Sequence, residues 1–499
     1  MPKLPYNFSI ATLCVAASLG LTACDKSMPP PTAQQEPSVS TQAVAPTPAQ
    51  AIEFINQAER SLAELSIEIN RAEWIYSNFI TEDTAALSAA AGENYSRETV
   101  KLATEAAKYA NVKLDPVNAR KLMMLRGSLI LPAPADSQKT AELAQINSQL
   151  NGLYGKGEYC FADGNCYSQP ELSVMMAQSR DPQKLLEVWQ GWREIAKPMR
   201  PLFERQIELV NEGAQGLGFK DVSELWRGQY DMPAADFGQE VDRLWLQVKP
   251  LYDSLHCYVR GELNQHYGDD VVPANGPIPA HLLGNMWAQQ WGNIYDLVAP
   301  ENADPGYNVT ELLAEHQYDE KKMVEQAETF FTSLGFEPLP DTFWQRSLFI
   351  EPSDRNVVCH ASAWNLDNED DIRIKMCIQK NAEDFSVIHH ELGHNFYQRA
   401  YKEQPFIFKN SANDGFHEAI GDTVALSITP SYFKQIGLLE QIPSSDKDIG
   451  LLLKQALDKV AFLPFGLMID KWRWQVFNGQ ISRSNITKLG GNYVIDIKA

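Results

Sequence analysis

From residue 51 onward, apolar residues return every three or four positions over stretches far longer than any strand. Across 51–81 the set is Ile52, Phe54, Ile55, Ala58, Leu62, Leu65, Ile67, Ile69, Ala72 and Ile75. At about 100° per residue these side chains share one face of a helix. The pattern recurs over 183–213, with Leu185, Leu186, Val188, Trp189, Trp192, Ile195, Leu202, Ile207 and Val210, and again over 308–334 and 448–478. Period-two runs are few; the strongest are at 357–363 and 372–378. The predicted class is therefore all-α with very small β content. Pro and Gly clusters at 132–134, 273–279 and 338–340 punctuate the helices, and no internal repeat is visible. Residues 51–481 read as one large helical domain.

Charge removes one class of function. The chain has 43 Lys+Arg against 64 Asp+Glu, a net charge of −21, so it lacks the basic footprint that a nucleic-acid partner requires. Its charged helix faces read as solvated surface.

The N-terminus reads as an address. Lys3 precedes a short apolar run, 10–21, that is too brief to span a bilayer as a helix of about 20 residues. The run ends in Leu21-Thr22-Ala23-Cys24, which resembles a bacterial lipoprotein signal occupying 1–24. That resemblance implies lipidation at Cys24, a lipid-bilayer partner, and a protein of the bacterial cell envelope facing the periplasm. Residues 25–50, rich in Pro, Ala and Gln, read as a flexible tether. Of the seven cysteines, Cys14 falls inside the signal. Cys160 and Cys166 bracket a turn-like stretch, and Cys359 and Cys377 flank another short segment. An oxidising compartment would let such loops close, but spacing alone leaves the connectivity open. Cys257 is left over and is expected to be a buried thiol.

One motif carries chemistry. Val387-Ile-His-His-Glu-Leu-Gly-His394 contains His390-Glu391-x-x-His394. Residues i and i+4 of a helix share a face, so two neutral imidazoles can hold one Zn²⁺ there. Glu391 beside them can then act as general base toward the attacking water. His389 offers a competing register, but no histidine follows it four residues later. A third ligand is expected at Glu418, twenty-four residues after His394, on a second helix that Asn413 or Asp414 would cap. Asp422, four residues beyond Glu418, can accept a hydrogen bond from the free ring nitrogen of a ligating histidine. His417 should point about 100° away and be a neighbour only.

These residues, with strings far from the motif, resemble the angiotensin-converting enzyme family of zinc peptidyl-dipeptidases. The strings include Arg120-Lys-Leu, Leu131-Pro-Ala-Pro134, Asn285-Met-Trp-Ala-Gln-Gln-Trp291, Phe330-Phe-Thr-Ser-Leu-Gly335, Cys359-His-Ala-Ser-Ala-Trp364, Asn413-Asp-Gly-Phe-His-Glu-Ala-Ile-Gly-Asp422 and Phe462-Leu-Pro-Phe-Gly466. The resemblance implies a helical ellipsoid with a deep central channel, a zincin-type metal site and oligopeptide substrates. It implies that Gln289 holds the substrate carboxylate, that His360 and the Ala361 backbone line the peptide, and that Arg193 contacts chloride. It also implies the disulfides Cys160–Cys166 and Cys359–Cys377. Without it, Gln289 and Arg193 would be unremarkable helix-surface residues, and His360 a packed strand residue. Past Ile481 the likeness fades, and 482–499 reads as a divergent tail. The family's further oxyanion and carboxylate-binding residues are not found there, so impaired activity is expected of a truncated chain. Two alternatives share the motif: a zinc oligopeptidase cutting internal bonds, and a non-catalytic peptide-binding lipoprotein.

Overall fold

The computed structural model describes residues 45–301, 303, 307–413, 415–482 and 485–486. The signal segment, Cys24, most of the tether and the tail beyond 486 lie outside the described residues. The protein is all-α, with two small two-stranded antiparallel sheets among the described residues. No described helix is long and apolar enough to cross a membrane.

The first helix, α1 (Pro48–Asn78), begins three residues before the expected boundary at 51. Thr47 caps it: its hydroxyl accepts from the Gln50 N–H while the Gln50 side chain returns to the Thr47 N–H, and Pro48 occupies the first turn. The last residues of the expected tether are thus helical. Thr81 caps the next helix, α2 (Glu82–Ala107), so the apolar pattern read as continuing to 81 stops at Asn78. Phe54, Ile55, Ala58 and Leu62 of α1 pack with Leu102 and Ala106 of α2.

Three long patterns are each divided, for local reasons. The 183–213 pattern is two helices, Pro182–Arg193 and Ala196–Gly216. Pro198 has no N–H for the Glu194 carbonyl, which accepts instead from the Lys197 N–H at 3.2 Å, and the ladder breaks between the two helices. The 308–334 pattern splits into Val309–Glu315 and Glu320–Ser333. Gln317 is left-handed (φ 55°), and Asp319 caps the second piece. The 448–478 pattern contains a π turn, Ala456–Val460, just before Ala461–Phe477. Pro464 cannot donate to the Val460 carbonyl, and the ladder shifts there.

Strands β1 (Glu158–Cys160) and β2 (Cys166–Ser168) form a hairpin that sequence periodicity was too short to announce, closed by the Cys160–Cys166 disulfide. Strands β3 (Ser362–Asn365) and β4 (Ile372–Lys375) pair with Ser362 opposite Lys375, and Cys359–Cys377 is bonded beside them. The expected strand at 357–363 therefore starts five residues late. Its first backbone groups are diverted: the Val358 N–H donates to Ser77 of α1, and the Val358 and His360 carbonyls accept from Lys375. Cys257 is exposed, contrary to the expected burial. On the helix Ala234–Tyr267 the buried stripe includes Leu255 and Val259, and a residue two positions from each lies about 200° around the helix.

Residues 485–486 add to the core. Ile486 is buried with Val476, Phe477 and Ile481, and its carbonyl accepts from the Trp472 indole at 3.2 Å.

Candidate metal centre

The motif lies on the helix Ala382–Ala400, started by Asn381, whose side chain accepts from the Asp384 N–H at 2.7 Å. One face of this motif helix carries Phe385, Ile388, Leu392 and Phe396. They pack on Ile372 and Ile374 of β4 and on Met323, Ala327 and Phe331. That burial turns His390 and His394 to the opposite face, with ring centroids 4.7 Å apart. His389 is completely buried; its ring nitrogens meet the Phe385 carbonyl and the Tyr432 hydroxyl at 2.7 and 3.0 Å. It is thereby removed from the competing register.

Glu418 comes from the helix Phe416–Leu426. Its N-cap is Gly415 without a side-chain cap, so Asn413 does not play the expected role; its amide bonds to the Ala412 carbonyl instead. Asp414 lies outside the described residues. The two helices touch through glycines. A Cβ on Gly393 would stand 3.1 Å from the Gly421 Cα, and a Cβ on Gly421 would stand 2.7 Å from the His390 ring. This bare contact brings Glu418 to the histidines: Oε2 is 3.4 Å from His390 Nε2 and Oε1 is 3.7 Å from His394 Nε2.

Those distances test the fit of a metal. Tetrahedral zinc with bonds of about 2.0–2.1 Å holds its ligand atoms about 3.3 Å apart. One donor atom from each of His390, His394 and Glu418 lies within 4.8 Å of the others. The spacing suits that ion, and the set of two imidazoles and one carboxylate leaves a fourth position open. Around it, Asp422 Oδ1 lies 3.4 Å from His390 Nδ1, while Lys459 holds the other Asp422 oxygen at 2.7 Å. His417 is a neighbour, as expected. Its Nδ1 lies 3.3 Å from His394 Nδ1, and its Nε2 meets the Tyr401 hydroxyl at 3.0 Å. Burial, with the His390 charge, pulls the His394 imidazole down to about 4, favouring the neutral form a metal needs.

Glu391 is buried beside these groups. Burial and then the Glu418 charge push its carboxyl up to about 7, while Lys375 and the Ala363 N–H draw it down. A carboxyl poised there can take and return a proton near neutral pH.

Other predicted residues lie on separate segments. His360 is exposed and outside β3, its Nδ1 2.8 Å from the Ala361 carbonyl; it is not a packed strand residue. Gln289 is not on a helix but in an irregular turn where Ala288 is left-handed (φ 54°), and its Oε1 is enclosed without a partner among the described residues. Arg193 is likewise no free surface group. Its guanidinium lies 3.4 Å over the Trp189 ring and donates to the Trp189 and Met286 carbonyls. Burial lowers its pKa to about 10. Sequence reasoning passed over Lys375, Lys459, Tyr401 and the Gly393–Gly421 contact. The glycines were visible within the two motif strings, and Lys375 as one of two charges, with Arg373, in a run of otherwise apolar residues.

The family model for angiotensin-converting enzyme matches residues 45–489. The chain belongs to the angiotensin-converting enzyme family. The match passes both expected domain edges, 51 and 481, in keeping with the helical residues at 48–50 and the buried Ile486. Angiotensin-converting enzyme of Bos taurus is 40% identical over 441 residues, covering 87% of this chain and 34% of that protein. The Rattus norvegicus enzyme is 39% identical, covering 88% of this chain and 33% of its own length. The Theromyzon tessulatum enzyme is 38% identical over 83% of this chain and 68% of its own length. The chain thus spans about a third of these mammalian relatives and about two thirds of the Theromyzon one.

Proposed function

We propose that this chain is a zinc-dependent peptidyl-dipeptidase, hydrolysing oligopeptides to release C-terminal dipeptides. The observation that carries this reading is the spacing of His390, His394 and Glu418 with Glu391 one residue from the first ligand. Zinc bound by the three would polarise the scissile carbonyl and lower the pKa of water. Glu391 takes the proton of the attacking water on its carboxylate and returns it to the leaving amine. Asp422, held by Lys459, orients the His390 ring. His360 and Ala361 line the peptide, and Gln289, whose enclosed Oε1 has no partner among the described residues, would hold the substrate carboxylate through the N–H donors of its amide. Arg193, with no carboxylate among its described partners, is the proposed chloride contact; a chloride titration of turnover that stays flat would remove it.

The test is metal analysis with product analysis on a blocked tripeptide and a longer peptide. One zinc per chain and dipeptide products are expected, with Glu391→Gln retaining zinc and losing turnover. Mixed internal fragments would select an oligopeptidase, and peptide binding without turnover a binding protein. We further propose an envelope lipoprotein anchored at Cys24, supported by the signal-like sequence. Labelled fatty acid should enter the wild-type chain and not Cys24→Ser.

A further inference from the structure

Lys375 is a buried charged residue on the face of β4 that alternation also gives to Arg373, opposite Ile372 and Ile374. It ends β4, follows Ile372 and Ile374, and is only 2% exposed. A buried ammonium is costly unless its donors are used. Here Nζ donates to the Val358 carbonyl at 2.6 Å and to the His360 carbonyl at 2.7 Å. These two carbonyls flank Cys359, which is itself bonded to Cys377 two residues beyond Lys375. The Cys377 N–H also donates to the Cys359 carbonyl at 3.3 Å. The same short segment is therefore held by a covalent bridge in the middle and an ammonium at both sides.

The clamp faces the candidate centre. The Lys375 charge acts on Glu391, and the Ala363 N–H acts on the same carboxyl. Ser362, which leads into Ala363, pairs directly with Lys375 across the sheet. The ladder begins only at Ser362, so 358–361 is held outside it, by the Cys359–Cys377 bridge, by the Val358 N–H bond to the Ser77 carbonyl, by the Cys377 N–H bond to the Cys359 carbonyl and by the two Lys375 bonds.

We propose that Lys375 is a positioning residue, whose ammonium fixes the 358–361 segment so that His360 and the Ala361 backbone meet the peptide in one register beside Glu391. This inference rests on the peptidase reading for its substrate and on the hydrogen bonds alone for the clamp. Lys375→Met keeps the length and apolar stem and removes every donor. It should bind zinc within threefold of the parent, because no zinc ligand contacts Lys375. Its KM for a blocked tripeptide should rise at least tenfold, with kcat falling less. Lys375→Ala should show the same defect and recover several-fold with added propylammonium, but not with tetramethylammonium, which has no N–H. A folded, zinc-loaded Lys375→Met with unchanged KM overturns the proposal. So does failure of both variants to fold, which would make Lys375 a purely structural residue. Should the parent chain neither bind zinc nor cleave peptide, the peptidase reading fails by itself. The clamp is then read by hydrogen exchange across 357–361, expected to quicken at least tenfold in Lys375→Met; unchanged exchange sinks it.

Discussion

Replacing Gly421 by alanine drives a methyl group into the ring of His390. The added Cβ would lie 2.7 Å from Cε1 and Nδ1 and 2.9 Å from Cγ of that ring. Carbon atoms in contact settle at about 3.5–4.0 Å, so ring and methyl must separate by about 0.8 Å or more. Metal–ligand distances tolerate about 0.2 Å. The ring can retreat, which takes Nε2 away from its 3.4 Å station beside Glu418. Alternatively the two helices can part, which carries Glu418 away from both histidines. Either way one of three ligands leaves its place. The loss should equal or exceed the 10–100-fold typical of removing an outer partner of a metal ligand. We expect zinc affinity to fall about 100-fold or more, or about 2.7 kcal/mol. Alanine also favours helix over glycine by about 1 kcal/mol, so metal-free stability should change much less than zinc affinity. Competition against a calibrated chelator measures the first quantity and chemical denaturation of metal-free protein the second. A folded Gly421→Ala chain that binds zinc within threefold of the parent would refute the argument that this glycine contact builds the site.

Three further outcomes follow from the same geometry. Gly261→Ala, inside the helix Ala234–Tyr267 with open space where the methyl would go, should gain about 0.5–1 kcal/mol by denaturation and leave zinc affinity unchanged; a loss of stability would contradict the packing. Asp422→Asn should weaken zinc about 10–100-fold by chelator competition while the fold, read by circular dichroism, stays intact. Finally, burial holds the His389 imidazole down at about 4 from 6.5, so between those values the unfolded chain binds a proton that the folded chain refuses. Stability of the metal-free protein should therefore fall as pH drops through that window, by up to about 3 kcal/mol from this group. His389→Gln should show a slope shallower by about one proton; an unchanged slope would show that His389 is not the group responsible.

Local pattern determined much of this protein. Helix class, the shared face of His390 and His394, and Glu418 with Asp422 one turn apart are properties of single elements, set by a period of 3.6 residues. Cys257, read from the sequence as a buried thiol, is exposed because the packing of its helix buries the stripe of Leu255 and Val259 instead. The breaks at Pro198 and before Pro464 were also local, but the apolar period runs across them unchanged, so periodicity alone hid them. Only the tertiary structure decided the rest, because backbone groups choose among partners that are distant in sequence. The strand at 357–363 has the right residues, yet Ser77 and Lys375 take its hydrogen bonds first, and the ladder begins at Ser362. Gln289 is held in a non-helical turn whose neighbour Trp291 donates its N–H to the Leu457 carbonyl, in the π turn before Pro464. The metal centre itself depends on two glycines from different helices meeting without side chains between them. A motif can supply the ligands; their separation of 3.4–3.7 Å is a property of how the helices pack.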